Sequence, residues 1–368
     1  MVELLISIAF VLVTSIQLFY WLFIFSKLAF FSSQKYSSVN KSEPVSVIIC
    51  AKNEAANLRR NLESILTQSY ADFELIVVND HSSDNSLAIL LEFQRKYPKL
   101  RILNVKEVTS PGKKEALSRG IEAAKFDILL LTDADCQPSS SLWIQEMQSA
   151  VYQDIEICLG YSPYIQSKGF LNLFIRFEAI YTAIQYLSFT LIGQPYMGVG
   201  RNLAYKKSLF LKNKGFQSHQ DLASGDDDLF VNAVATTKNT KINLKSETFI
   251  YSSPKDSWRG YYRQKSRHLT TGTHYKLVHQ VLLGTLSASH FGHYAFGLCL
   301  AFFPAYQSLV VGCYLARMGV VWYLSARILS DLKDKTLVPW IPVLDIAYQF
   351  YYLAFAPILL IGKTDQWK

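Results

Sequence analysis

Apolar and polar residues divide the chain into three zones. Leu4 to Phe25 is an almost uncharged run, and a bilayer takes about 20 such residues as a helix. The run is too long for a usual signal-peptide core. No basic residue precedes it and no clear small-x-small cleavage site follows, so an uncleaved transmembrane helix is expected. Val281 to Phe303, Ala305 to Ser325 and Leu337 to Ile361 form a second apolar zone, interrupted by Pro304, Pro339, Pro342 and Pro357. Three crossings are expected there, unless some of these segments lie in the membrane interface.

The zone between them alternates. After a polar, Ser-rich linker from Ser32 to Glu43, strand patterns at Val45–Cys50, Phe73–Asn79, Arg101–Val105 and Ile128–Thr132 enclose helical spacings at Ala55–Thr67, Ser86–Tyr97 and Lys113–Lys125. This order predicts an α/β domain with a mostly parallel sheet. Beyond Gln153, Ile155–Tyr161 reads as another strand. Phe170–Ile192 is either a buried core helix or an amphipathic helix on the membrane face, and the flanking apolar zones favour the second. The expected organisation is 1–31 anchor, 32–43 linker, 44–275 α/β domain with interfacial helices, and 276–368 transmembrane region.

Charge orients this arrangement. Lys27, Lys35 and Lys41 follow the first span, and Arg327, Lys333 and Lys335 lie between the last two. The positive-inside rule then places the domain in the cytoplasm, as part of a multi-pass membrane protein. Lys363 and Lys368 oppose an outside tail. The formal net charge of +8 suits anionic lipid head groups. With no basic-aromatic groove pattern, nucleic acid is not expected as a partner. The five cysteines show no CxxC or Cys/His zinc spacing and read as reduced packing residues.

Acidic residues close the strands at Asp80 and at Asp133-Ala134-Asp135. The carboxyl edge of an open α/β sheet is where ligands bind. Asp133 and Asp135 point the same way from an extended end, where two like charges repel unless a cation separates them. A hard cation held by oxygens and phosphate is the natural occupant. Asn53 and Glu54 could contact a nucleotide or simply cap a helix. Asp80 could accept from a base N–H, and Asp84 could cap the next helix. Gly112-Lys113-Lys114 could meet a phosphate at a helix start, or be solvated. Asp226-Asp227-Asp228 reads either as a helix N-terminus enriched in acids or as a general base beside two acids. Gln264, Arg267 and His268 share one helical face. Asp345 and the His290/His293 pair lie inside apolar spans, where ionisable residues serve either function or helix packing.

In this order the motifs closely resemble family 2 inverting glycosyltransferases of the GT-A fold, over about Glu43 to Thr273. Val45-Ser46-Val47-Ile48-Ile49 through Asn53-Glu54 looks like the family's opening strand and nucleotide-side loop. Asp80 matches its base-contacting acid. Gly112-Lys113-Lys114-Glu115-Ala116-Leu117 is similar to its diphosphate segment, and Asp133 and Asp135 match its metal and donor motif. Gly198 to Ala204, with Gly200 and Asn202, is similar to its acceptor-side loop. Gly225-Asp226-Asp227-Asp228-Leu229 falls on its Glu-Asp-x-Asp-Leu segment, which makes Asp226 the base; a one-residue shift makes it Asp227. Gln264-Lys265-Ser266-Arg267-His268 is a variant of its Gln-x-x-Arg-Trp motif, with His268 where an acceptor-stacking Trp is usual.

The resemblance implies a nucleotide-diphosphate sugar donor, most often UDP-linked, and Mg2+ or Mn2+ at Asp133 and Asp135. Lys113 or Lys114, with Gln264 and Arg267, would attend the leaving diphosphate. The acceptor implied by the flanking spans is a membrane lipid, a lipid-linked sugar or a polysaccharide. A non-catalytic nucleotide-sugar-binding subunit of a membrane assembly is the other class to weigh.

Overall fold

The computed structural model describes residues 1–32, 42–105 and 112–361. Lys35, Lys41, Lys363, Lys368 and most of the expected linker lie outside the described residues. The strands are β1 Val45–Ala51, β2 Phe73–Asp80, β3 Leu100–Val105, β4 Ile128–Asp133, β5 Cys136–Pro138, β6 Ile157–Leu159, β7 Leu203–Lys206, β8 Thr240–Ile242 and β9 Ile250–Ser252. The helices are α1 Val2–Phe19, α2 Ser26–Ala29, α3 Ala55–Leu66, α4 Ser86–Lys96, α5 Lys114–Ala123, α6 Trp143–Ser149, α7 Phe170–Leu191, α8 Lys207–Lys212, α9 Asp228–Val234, α10 Trp258–Leu269, α11 Leu277–Ala301, α12 Gln307–Asp331 and α13 Ile341–Ile361.

The α/β class expected from the sequence is present, with a mixed sheet in the order β3-β2-β1-β4-β7-β6-β8. The β3-β2-β1-β4 half is parallel. Every residue of β1 and β2 is buried, which is why both read as near-continuous apolar runs rather than alternating ones. β7 enters antiparallel to β4, and β6 antiparallel to β7. β5 and β9 form a separate antiparallel pair.

Helix α7 corrects the expectation of an interfacial helix. It is buried along most of its length, including Arg176 and Glu178. Tyr186 donates to the carbonyl of Gly160 next to β6, and Phe177 and Tyr181 meet Tyr348 of α13. The helix is covered on most sides because it lies between the sheet and the apolar helices, and its two charges are each paired.

Three segments among the described residues are long and apolar enough to cross a membrane: Val2–Ala29, Pro304–Asp331 and Lys335–Ile358. Two of these lie in the C-terminal zone, where α11, of 25 residues, packs beside them. Helix α11 packs antiparallel to α1: Gln17 donates to Leu286 and Ser289, and Tyr20 donates to the Leu282 carbonyl. Asp345 of α13 sits in the middle of this bundle. It receives Arg317 of α12 at 2.6 Å and Tyr294 of α11 at 2.5 Å, with His290 Nε2 3.1 Å away. Arg317 reaches on to Gln17 at 3.1 Å. One polar network therefore joins four helices.

Candidate active site

Strand register assembles the cleft. Asp133 lies level with Cys50 of β1, Ala51 level with Asn79 of β2, and Asp80 level with Val105 of β3. The parallel strands thus end together, with Asn53 and Glu54 just past β1, Asp80 on β2 and Asp133 on β4 along one edge. Antiparallel β7, with Leu203 opposite Leu131, carries Gly200 and Arg201 alongside that edge.

Lys113 stands at the centre. Its ammonium lies 2.5 Å from Asp133 Oδ1 and 3.8 Å from Asp226 Oδ2. Burial pulls the Lys113 pKa down, but Asp133 and Asp226 outweigh it and hold the group well above its ordinary value. Burial likewise raises Asp133, and the Lys113 charge reverses this and keeps the carboxyl below its usual range. Lys114 faces away. It is 2% exposed and donates to the carbonyls of His219 and Leu222, with its pKa lowered by burial to about 8. Of the two lysines expected near a diphosphate, Lys113 is the one in the cleft, and Lys114 holds the loop that leads to Asp226. Gly112 packs so tightly on that loop that a Cβ would meet the Ala223 carbonyl oxygen at 2.2 Å.

The three consecutive aspartates separate by their partners. Asp228 accepts from Thr271, Tyr275 and the Leu229 N–H. Asp227 accepts from the backbone N–H groups of Gly200 and Asp228. Burial, then the charges of Asp226 and Asp228, push the Asp227 carboxyl up to about 7. Asp226 faces Lys113.

On the nucleotide side, Asp80 is buried and its Oδ1 lies 2.8 Å from His81 Nδ1. Asn53 has φ 56° and accepts from the Ser83 N–H. Its amide ties the first two strand-end loops together. Glu54 accepts from Asn57. Asp84 caps the next helix as expected, accepting from the Ser86 N–H at the start of α4, and its other oxygen accepts from the Ala55 N–H at the start of α3. Helix α10 carries Gln264 and Arg267 one turn apart, and the Arg267 charge reaches Asp133. His268 is exposed, 3.3 Å from Arg267 Nη2.

Asn202 corrects an expectation. It is fully buried, and its amide donates to the carbonyls of Tyr161 and Thr248 while accepting from Trp143. Asn202 therefore braces the loop from inside, its amide engaged by protein partners. Its neighbour Arg201 is not among the expected site residues, yet it reaches the cleft. Arg201 donates to Ser252 at 2.8 Å, lies over the Tyr164 ring, and adds positive charge beside Asp133 and Asp135. An Arg between Gly200 and Asn202 was visible in the sequence, but only the antiparallel entry of β7 puts it there.

Asp133, Asp135 and Cys136 offer ligand atoms within 4.8 Å of one another. Burial and then the Asp133 charge push Asp135 up, a penalty that a bound cation relieves. Burial raises the Cys136 thiol well above its ordinary value, which leaves two carboxylates as donors. That hard oxygen set fits Mg2+ or Mn2+.

Comparison with known proteins bears on the family and the fold. The profile "Glycosyl transferase family 2" matches residues 46–212, and "Glycosyl transferase family group 2" matches residues 140–362. The chain is 31% identical over 119 residues to the "Uncharacterized glycosyltransferase YibD" of Escherichia coli, covering 32% of this chain and 34% of that protein. It is 30% identical over 100 residues to the beta-monoglucosyldiacylglycerol synthase of Trichormus variabilis, covering 27% and 21%. The chain thus spans about a third of the first relative's length and about a fifth of the second's. A mannosyltransferase of Pyrobaculum calidifontis, solved with GDP-Man and Mn2+, superposes with a TM-score of 0.60 at 15% identity, over 94% of this chain and 99% of that one. At that identity the likeness speaks to the fold, which is GT-A. With more than half of the chain matched by one profile, the protein belongs to glycosyl transferase family group 2 and is a glycosyltransferase.

Proposed function

We propose that the protein is a membrane-embedded inverting hexosyltransferase. It moves a sugar from a nucleotide diphosphate, most simply UDP-linked, to a hydroxyl of a lipid or lipid-linked acceptor at the cytoplasmic face. One observation carries the reading. Lys113 stands between Asp133 and Asp226, while Asp227 and Asp228 are engaged with their own scaffold. The acid left facing the cleft is then the base. The apolar helices and the lipid product named for the Trichormus relative support a membrane acceptor.

In this mechanism Asp80 and the Asn53–Glu54 loop orient the nucleotide. Asp133 and Asp135 would hold Mg2+ or Mn2+, which when bound neutralises the departing diphosphate. Asp226 takes the proton of the acceptor hydroxyl as its oxygen attacks the anomeric carbon from the face opposite the diphosphate. The C–O bond to the diphosphate breaks, and Lys113, Arg201 and Arg267 receive the charge that develops. Gly200 and His268 border the acceptor.

The test uses detergent-purified protein, UDP- and GDP-sugars, Mn2+ or Mg2+, and membrane lipid extract. The expected result is nucleoside diphosphate release with labelled lipid, lost in Asp226→Asn with donor binding retained. If Asp227→Asn abolishes release and Asp226→Asn does not, the base assignment is wrong. An unlabelled lipid fraction with labelled soluble polymer would instead assign a polysaccharide acceptor.

A further inference from the structure

Two opposite charges on the buried helix α7 are each paired to a different element. Arg176 is 2% exposed and donates through Nε to Asp334 at 3.1 Å and through Nη2 to Asp334 and to Thr336 at 2.5 Å. Asp334 belongs to the connection between α12 and α13. Glu178, also 2% exposed, lies 2.5 Å from Lys265 of α10 and accepts from Thr182 at 3.1 Å. At 3.6 residues per turn, positions two apart point about 200° from each other. One helix therefore grips the membrane hairpin on one side and α10 on the other.

Lys265 sits between Gln264 and Arg267 in sequence, on the helix whose Arg267 charge reaches Asp133. Aromatic contacts also join α10 to α7 and α13, Trp258 and Tyr261 on Phe174 and Tyr262 stacked on Phe355, and the Tyr261 hydroxyl lies beside Glu178. Ring contacts exclude water but allow sliding. A buried ion pair adds little net stability, and its best-attested use is to fix register.

We propose that Glu178 is a positioning residue: through Lys265 it sets the register of α10 and so the placement of Gln264 and Arg267 against the donor diphosphate. This rests on the reading of α10 as donor-side. Arg176 serves the same purpose at the other end, fixing α7 to the hairpin so that α10 is held relative to the membrane.

The experiment compares full-length wild type, Glu178→Gln, Lys265→Met, the double variant, Lys265→Arg and Arg267→Ala in detergent. Donor KM and kcat are read beside hydrogen exchange of the α10 backbone. The double variant removes both charges, so no lone buried charge remains to unfold the protein. We expect each single neutral variant to raise donor KM by roughly 10- to 100-fold, the scale of a displaced binding group, with kcat changed less and α10 exchange accelerated. The double variant should cost no more than either single one, and Lys265→Arg should restore KM. Unchanged α10 exchange in folded Glu178→Gln, or additive effects in the double variant, overturns the proposal. If α10 exchange rises while Arg267→Ala leaves donor KM alone, Glu178 still positions α10, and it is the donor-side reading of that helix that fails.

Discussion

Two groups of buried charges behave differently in this molecule. In the helical bundle, Asp345 is 2% and Arg317 1% exposed, and the carboxylate is met by Arg317, His290 and Tyr294. In the cleft, the side chains of Lys113, Asp226 and Asp133 keep 16%, 18% and 33% exposure, and a single ammonium serves two carboxylates. The first arrangement is closed: its groups meet one another across four helices. The second is partly open, with the Arg201 and Arg267 charges beside Asp133 as well. Polar residues in an apolar span are a functional hypothesis by default. Here they join helices to one another, and the less buried charges are the ones the proposed reaction uses.

The sharpest break of that contrast is removal of one charge from each group. Asp226→Asn should lower turnover by roughly two to four powers of ten, the range for a lost general base, with little change in thermal stability. Asp345→Asn should do the reverse. Stripping one partner from a buried ionic network costs about 3–5 kcal/mol, read as a large drop in thermal midpoint in detergent. Arg317→Met with Asp345→Leu should recover most of it, because well-packed apolar replacements of buried ion pairs are often neutral or stabilising. A stable Asp345→Asn protein with normal folding but abolished turnover would place the bundle network in the chemistry and erase the distinction.

Lys113→Met probes the middle of the range. Asp133 would lose its partner at 2.5 Å, but the carboxylate is a third exposed, so solvent screens much of the change. A loss of roughly 10- to 100-fold in kcat/KM, mostly through donor binding, is expected from truncating one member of a partly desolvated charge pair. Lys114→Met should act differently. Its ammonium holds the His219 and Leu222 carbonyls, so the loop before Asp226 loosens and kcat falls more than donor affinity. Equal effects of the two variants on donor affinity would mean that both lysines meet the donor.

Much of this was legible in the sequence, for identifiable reasons. β1, β2 and β4 are long buried runs, and their helices carry apolar faces, so they and the acids that close them could be read directly. The short strands were a different matter. β7 and β9 are set by pairing with β4 and β5 rather than by local pattern, and with them went the position of Arg201 beside Asp133. Helix α7 departs from the expectation because a largely apolar helix with a few charges reads alike whether lipid or protein covers it. Asn202 misled because a loop position says nothing about which way an amide points. The contacts that distinguish Asp226, Asp227 and Asp228, with Gly200, Thr271 and Tyr275, come from residues 27 to 47 positions away.

Asp227 gives the smallest and most specific test, because it lies between the two groups in character. Its carboxylate is held by two backbone N–H groups, like a structural acid, yet it stands next to Asp226. Burial and its two acidic neighbours raise its pKa from 3.8 to about 7 in the folded protein. Between those values the folded state keeps a proton that the unfolded state has released. Stability from this group is therefore full below about 4 and is lost as pH rises through 7. Other carboxylates, such as Asp84, have lowered pKa values and act in the opposite direction, so the quantity to measure is a difference. The thermal midpoint of wild type minus that of Asp227→Asn should decline from pH 4 to pH 7 and level off above it. A difference that stays flat across this window would mean that Asp227 ionises normally. The contrast between a closed structural acid and an open catalytic one could then not be drawn between these two adjacent residues.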